Sequence, residues 1–229
     1  MWDLQADALA TDHRVVVIEP RGHGAAAAPP GPYTLADLAA DVLDVTDRLE
    51  FDRFHLAGIS LGGITALWVA AHHPERIGAL TVADTAARVG TADFWTDRIA
   101  VVRAGGMPAI CDVVMERFFS PGFRQTHRGV VDGFRDVCLR VDPQGYAGCC
   151  HALAHGDVTA ELTHITAPTL VIGGTADVAT PPEQARDIHD AIASSRLELL
   201  EGAGHLSNLE RPDEFTRLLR DHVTAASHP

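Results

Sequence analysis

The sequence predicts an α/β fold: a mostly parallel β-sheet flanked by helices, with a helical insertion between two core strands. Three observations predict it. Short β-branched or apolar runs alternate with helical patterns in residues 1–87 and again in 167–229, the rhythm of a parallel sheet covered on both faces. One such run enters Gly58-Ile59-Ser60-Leu61-Gly62 and continues into an apolar helical stretch, the order that lifts a serine hydroxyl out of a sheet on a strained turn, with Gly58 and Gly62 expected where a Cβ would collide with the neighbouring strand and helix. Residues 88–166 break the rhythm. They hold Phe94, Trp95, Phe118, Phe119, Phe123, Phe134 and Tyr146 without clean strand signals, and are expected to form a helical lid over the catalytic edge, with most of these aromatics making its own small core.

In chain order, Arg14-Val15-Val16-Val17-Ile18-Glu19 is β-branched and ends in Pro20-Arg21-Gly22-His23-Gly24, which predicts a strand and a sharp loop. Thr34 is placed as an N-cap. Leu35, Leu38, Ala39, Val42, Leu43, Thr46 and Leu49 follow at spacings of three and four, one face of an amphipathic helix. Phe54-His55-Leu56-Ala57 predicts a buried strand and Gly63–Ala71 a helix. Further strands are expected at Ala79–Ala83, Pro168–Gly173 and Leu197–Leu200. Helical patterns at Glu183–Ala193 and Asp213–Ala225 follow the last two.

A formal net charge of −13 argues against nucleic acid or an anionic membrane as partner, and no apolar run approaches the ~20 residues of a membrane span. A small anionic substrate would need local cationic help. Cys111, Cys138, Cys149 and Cys150 show no C-x-x-C spacing and read as buried, reduced thiols of a cytoplasmic protein. Cys150-His151 with His155 lacks a second ligand cluster, so neither a metal nor a cofactor is expected.

A serine hydroxyl needs a base to become a nucleophile. On this kind of sheet the order is serine, acid, histidine. Asp177, in Gly173-Gly174-Thr175-Ala176-Asp177, lies just past a strand's carboxyl end. His205, in Gly202-Ala203-Gly204-His205, follows the last strand. The expected roles are Ser60 as nucleophile, His205 as base and acid, and Asp177 as the carboxylate that orients the imidazole. The Leu61 N–H, at the head of the helix, is the expected oxyanion donor. Arg117 and Arg124, beside the lid aromatics, are the candidates for neutralising a substrate carboxylate.

Ser60, Asp177 and His205 with Arg21-Gly22-His23-Gly24 resemble the α/β-hydrolase superfamily over nearly the whole chain. A narrower resemblance, to the 3-oxoadipate enol-lactonases, is carried by several segments. They are Met1-Trp2-Asp3, Pro30-Gly31-Pro32-Tyr33-Thr34-Leu35, Gly58–Gly63, Tyr146-Ala147-Gly148-Cys149-Cys150 and Ala203–Pro212. It implies hydrolysis of an enol-lactone to 3-oxoadipate in the protocatechuate branch of aromatic catabolism. Alternatives on the same scaffold are a general carboxylic ester hydrolase, a cofactor-free perhydrolase, and a non-catalytic binding protein or inactive fragment.

The chain departs from that pattern twice. Phe118 stands where the resemblance implies a tryptophan, keeping an aromatic wall but not an indole donor. The resemblance also implies strands leading to a loop immediately before Trp2 that carries a second oxyanion N–H, and a strand between the Val15 and Leu56 strands. The expectation is therefore an N-terminally truncated form or a late start, poorly soluble or nearly inactive by itself.

Overall fold

The computed structural model describes residues 1–227. Strands β1 (Phe54–Ile59), β2 (Ile77–Ala83), β3 (Thr169–Gly174) and β4 (Ser195–Leu200) form one parallel sheet in the order β1-β2-β3-β4. Helices α1 (Asp3–Leu9) and α2 (Leu35–Arg48) precede β1, and α3 (Leu61–His72) joins β1 to β2. Helix α9 (Pro182–Ala191) will join β3 to β4, after five helices that occupy the expected insertion. These are α4 (Ala92–Gly105), α5 (Cys111–Phe118), α6 (Pro121–Thr126), α7 (Arg128–Arg140) and α8 (Pro143–His155). The chain closes with α10 (Ser207–Glu210) and α11 (Pro212–Ser227). Parallel neighbours need such crossovers, because a tight turn can only reverse a strand.

The two middle strands are dry on both faces, whereas residues 54–57 of β1, expected to be buried, are half-buried or exposed because β1 has a neighbour on one side only among the described residues. Along β3, Val171 joins the core shared with α2, α3 and α9, while Leu170 and Ile172 join the core shared with the insertion and α11. Strand alternation puts these neighbours on opposite faces, and each such side chain stabilises the fold by about 1.5–3 kcal/mol. His222 of α11 reaches β2 with its Nε2 3.0 Å from the Leu80 carbonyl oxygen.

Helix α2 begins as its sequence predicts. The Thr34 hydroxyl accepts from the Asp37 N–H at 3.1 Å and the Asp37 carboxylate accepts from the Thr34 N–H at 2.8 Å, a reciprocal capping box that satisfies two otherwise orphaned donors.

One predicted strand is corrected. Arg14–Glu19 belongs to no sheet among the described residues. A ladder requires a partner backbone about 4.8 Å away. Here a cavity of about 190 Å³ lies against the segment, lined by Arg14, Val16 and Ile18 together with Phe54 and Leu56 of β1. Lacking a neighbour, the run leaves Val16 and Val17 exposed, so β-propensity alone did not make it a strand.

Replacing Thr34 by Ala removes one side of the capping box. A loss of about 1 kcal/mol, equivalent to roughly 2–4 °C in a thermal melt of a chain this size, is the expected outcome. An unchanged melting temperature would show that the start of α2 does not depend on its cap.

Candidate active site

Ser60 lies between β1 and α3 with φ +53° and ψ −116°, backbone that a residue with a side chain rarely adopts. Its conformation is held from both sides. The Ser60 N–H donates to the Ala83 carbonyl at 3.0 Å, and the Thr85 hydroxyl donates to the Ser60 carbonyl at 2.7 Å. The turn is so tight at Gly58 that a Cβ there would sit 2.2 Å from the Gly62 carbonyl oxygen. The expectation that the second motif glycine is equally confined is corrected: a Cβ on Gly62 would meet nothing within 4 Å, whereas one on Gly63 would lie 2.7 Å from Thr85. The close approach is one residue later because α3 turns its Gly63 face onto the end of β2. Leu61 opens α3, so its N–H belongs to the first turn, where no carbonyl of the helix is available to it.

Asp177 and His205 meet as the sequence order suggests. They leave the carboxyl ends of β3 and β4, and the His205 Nδ1 lies 2.8 Å from the Asp177 Oδ2 with both side chains essentially without exposure. Thr180 completes the arrangement, and sequence reasoning missed it. Its hydroxyl donates to Asp177 Oδ2 at 2.8 Å and lies 3.2 Å from His205 Nδ1. The N–H groups of Ala179 and Thr180 donate to Asp177 Oδ1 at 2.7 and 3.0 Å. Burial by itself would raise the Asp177 carboxyl, but the hydrogen bond and charge of His205, with the Thr180 donors, outweigh it and hold the carboxyl below its usual range. The signal for Thr180 was its place just after an aspartate in a turn, where the Asx turn closes on the Ala179 N–H and the next residue can also reach the carboxylate.

Ser60, Asp177 and His205 thus leave the same edge of a parallel sheet, whose strand ends lie side by side. The Ser60 hydroxyl makes no hydrogen bond among the described residues. Catalytic hydrogen bonds of this kind commonly tighten only when substrate is bound.

The insertion supplies the wall opposite. The Phe118 ring lies 5.1 Å from the His205 ring, and the Leu206 N–H donates to the Phe118 carbonyl at 3.1 Å. Arg117 is half-buried, with its guanidinium over the Phe94 ring at 5.1 Å. Burial and the like charge of Arg98 lower its pKa, against the opposing pull of Asp177 and Tyr146. Arg98, also absent from the sequence reading, lies over the same Phe94 ring at 5.3 Å. Neither guanidinium forms an ion pair with a carboxylate among the described residues. Arg124 is on α6, with its Nε buried and lacking a hydrogen-bond partner; none of its described contacts joins it to Asp177 or His205. The four cysteines are buried, and burial pushes the Cys149 and Cys150 thiols up to about 12.

The sequence profile described as "Alpha/beta hydrolase family" matches residues 1–218. A 3-oxoadipate enol-lactonase of Acinetobacter baylyi is 38% identical over 215 residues, which are 94% of this chain and 80% of that protein. The crystal structure of the enol-lactonase from Burkholderia xenovorans LB400 superposes with a TM-score of 0.95 at 39% identity, covering 97% of this chain and 85% of the other. A thermophilic esterase from Thermogutta terrifontis, solved with malate bound, gives 0.93 at 28% identity, covering 98% of this chain and 85% of the other.

The depressed carboxyl of Asp177 has a consequence for stability. A carboxyl whose folded pKa lies below its unfolded value contributes stability above that value, about 3.8, and loses it as pH falls through the folded pKa. The stability advantage of the wild type over Asp177→Asn in denaturant melts should be full at pH 6 and shrink progressively below pH 4. A difference that is constant from pH 6 to pH 3 would show that Asp177 is not held ionised by the fold.

Proposed function

Because this chain belongs to the alpha/beta hydrolase family, we propose that it is a serine-dependent lactone hydrolase that opens 3-oxoadipate enol-lactone to 3-oxoadipate. The observation that carries the mechanism is the dry Asp177–His205 pair at 2.8 Å, at the same carboxyl end of the parallel sheet as a serine on a strained turn. The observation that carries the substrate is the likeness to enol-lactonases across most of both chains. The coarser statement, a small ester or lactone as substrate, needs only the family.

In the proposed reaction the Ser60 Oγ attacks the lactone carbonyl carbon and its proton passes to the His205 Nε2. Asp177, bonded to Nδ1, fixes the imidazole tautomer and stabilises the imidazolium that forms. The oxyanion forms where the Leu61 N–H can donate to it, in the positive field of the first turn of α3. The ring C–O bond then breaks, leaving an acyl-enzyme and an enolate that takes up a proton and becomes the ketone. Water, activated by His205, releases the second carboxylate. An enolate is a good leaving group, so the acid role of His205 is light.

The lactone carries a carboxylate, and the chain carries a net charge of −13. Arg117, half-buried and without a carboxylate partner among the described residues, is the residue we assign to it, with Arg98 beside it on Phe94. The Phe118 ring forms the wall over His205. The insertion 88–166 is read as a lid and the rest of the chain as the hydrolase core. Free, buried thiols fit a reducing cytoplasm.

Ser60→Ala should abolish lactone hydrolysis, by about 10⁴-fold or more in kcat, with an unchanged melt. A variant that keeps a tenth of wild-type activity would remove Ser60 from the mechanism. Arg117→Gln should raise KM for the anionic lactone at least tenfold more than KM for a neutral aryl ester. Equal effects on both substrates would make Arg117 structural, and activity on the aryl ester with none on the lactone would favour a general esterase.

A further inference from the structure

Asp84 follows the last residue of β2 and is a carboxylate the proposed reaction does not use. It is buried, at 1% exposure, and its backbone has φ +44°, a conformation that a residue with a side chain rarely adopts. The surroundings over-determine that conformation. The Asp84 N–H donates to the Ile172 carbonyl at 2.9 Å. Its Oδ1 accepts from the Gly174 N–H at 2.9 Å, and its Oδ2 accepts from the Ser207 N–H at 3.2 Å and the Ser207 hydroxyl at 2.6 Å.

Those partners are not scattered. Gly174 ends β3 and begins the turn that delivers Asp177, whose N–H donates back to the Gly174 carbonyl at 3.2 Å. Ser207 opens α10, two residues beyond His205. One carboxylate therefore spans the loop that carries the acid and the loop that carries the imidazole. Its two chain neighbours hold the third member: the Ala83 carbonyl accepts from the Ser60 N–H, and the Thr85 hydroxyl donates to the Ser60 carbonyl.

We propose that Asp84 is a positioning residue that sets the distance between Asp177 and His205 by clamping their two loops to the end of β2, which also holds Ser60. This rests on the triad reading given above. The clamp acts on loops whose register a sheet does not fix by itself, because β3 ends at Gly174 and β4 at Leu200. Beyond those residues only hydrogen bonds and packing hold the chain. A buried carboxylate with three donors is a stiff tie, since each bond to it is stronger than one between neutral groups. Burial, reinforced by the negative charge of Asp177 and opposed by His205 and the Ser207 donors, raises the Asp84 carboxyl to about 7. The charged groups facing it are thus the acid and the base it positions.

The test compares wild type, Asp84→Asn, Ser207→Ala and, as control, Ser60→Ala, each as the full chain. Hydrolysis of a neutral aryl acetate and of the enol-lactone is measured, with the downfield proton NMR resonance of the imidazole N–H bonded to Asp177. Asp84→Asn keeps the size and an acceptor for Gly174 but turns a donor on Ser207. It should lower kcat for both substrates by about 10²-fold, the order expected for a misplacement of about 1 Å, with KM within threefold, and shift or broaden the imidazole resonance. Ser207→Ala removes one bond of the clamp and should lower kcat about tenfold, a factor of the size one such bond supplies, again at constant KM. If Asp84→Asn fails to fold, Ser207→Ala decides alone. Wild-type kcat and an unmoved resonance in the folded variants, with Ser60→Ala inactive, would overturn the positioning role while leaving the triad standing. An active Ser60→Ala would instead overturn the triad reading.

Discussion

A carboxylate holds an imidazole in one tautomer best where water does not compete for either partner, and the proposed chemistry depends on the Asp177–His205 hydrogen bond being dry. Neither side chain reaches solvent. Dryness has a cost, since burial disfavours the ionised acid. The fold offsets it locally, with two backbone N–H donors and the Thr180 hydroxyl converging on one carboxylate. The turn Asp177–Thr180 is therefore a small anion site built around its own side chain, with the imidazole taking the remaining approach. The tight contact of Gly174 with the Ala203 and Gly204 carbonyls, where a Cβ would lie within 2.5 Å of both oxygens, brings the two loops close enough for the bond to form.

The electrostatic pattern around that bond is as uneven as the overall charge suggests. A strongly acidic surface repels an anionic lactone at long range, so productive binding depends on short-range positive charge in a partly dry setting, where Coulomb interactions are several-fold stronger than in water. Arg117 and Arg98 share one aromatic ring and no carboxylate. Burial first, and then the like charge of Arg98, lower the Arg117 pKa, and the proposed substrate carboxylate would offset both. The same insertion is fastened to the loop of the base. The buried Glu210 carboxylate accepts from the Ser120 N–H and hydroxyl at 2.7 and 2.6 Å, and the Phe118 carbonyl accepts from Leu206. The wall over His205 and the loop that carries it are mechanically one piece.

Much of this was legible in the chain because it is written in short-range terms. The four strands of the sheet were visible as apolar runs, α2 as a period of three to four behind Thr34, and Ser60, Asp177 and His205 as side chains at the ends of strands in a fixed order. Arg14–Glu19 shows the boundary of that legibility: its composition is that of a strand, but a strand exists only where another backbone pairs with it, and none does among the described residues. Gly62 shows it again, for the spacing named the wrong glycine as the crowded one, which only the packing of α3 on Thr85 could reveal.

The sequence by itself determined the fold class, the elbow at Ser60 and the chain order of the three site residues, because periodicity, turn chemistry and strand-end position are local properties. Only the tertiary structure decided that Thr180 braces the acid, that Arg98 joins Arg117 on Phe94, and that the Asp84 carboxylate ties Gly174 to Ser207. Those contacts join residues far apart in the chain. Their existence depends on where parallel strand ends come to lie side by side, and no local pattern encodes it.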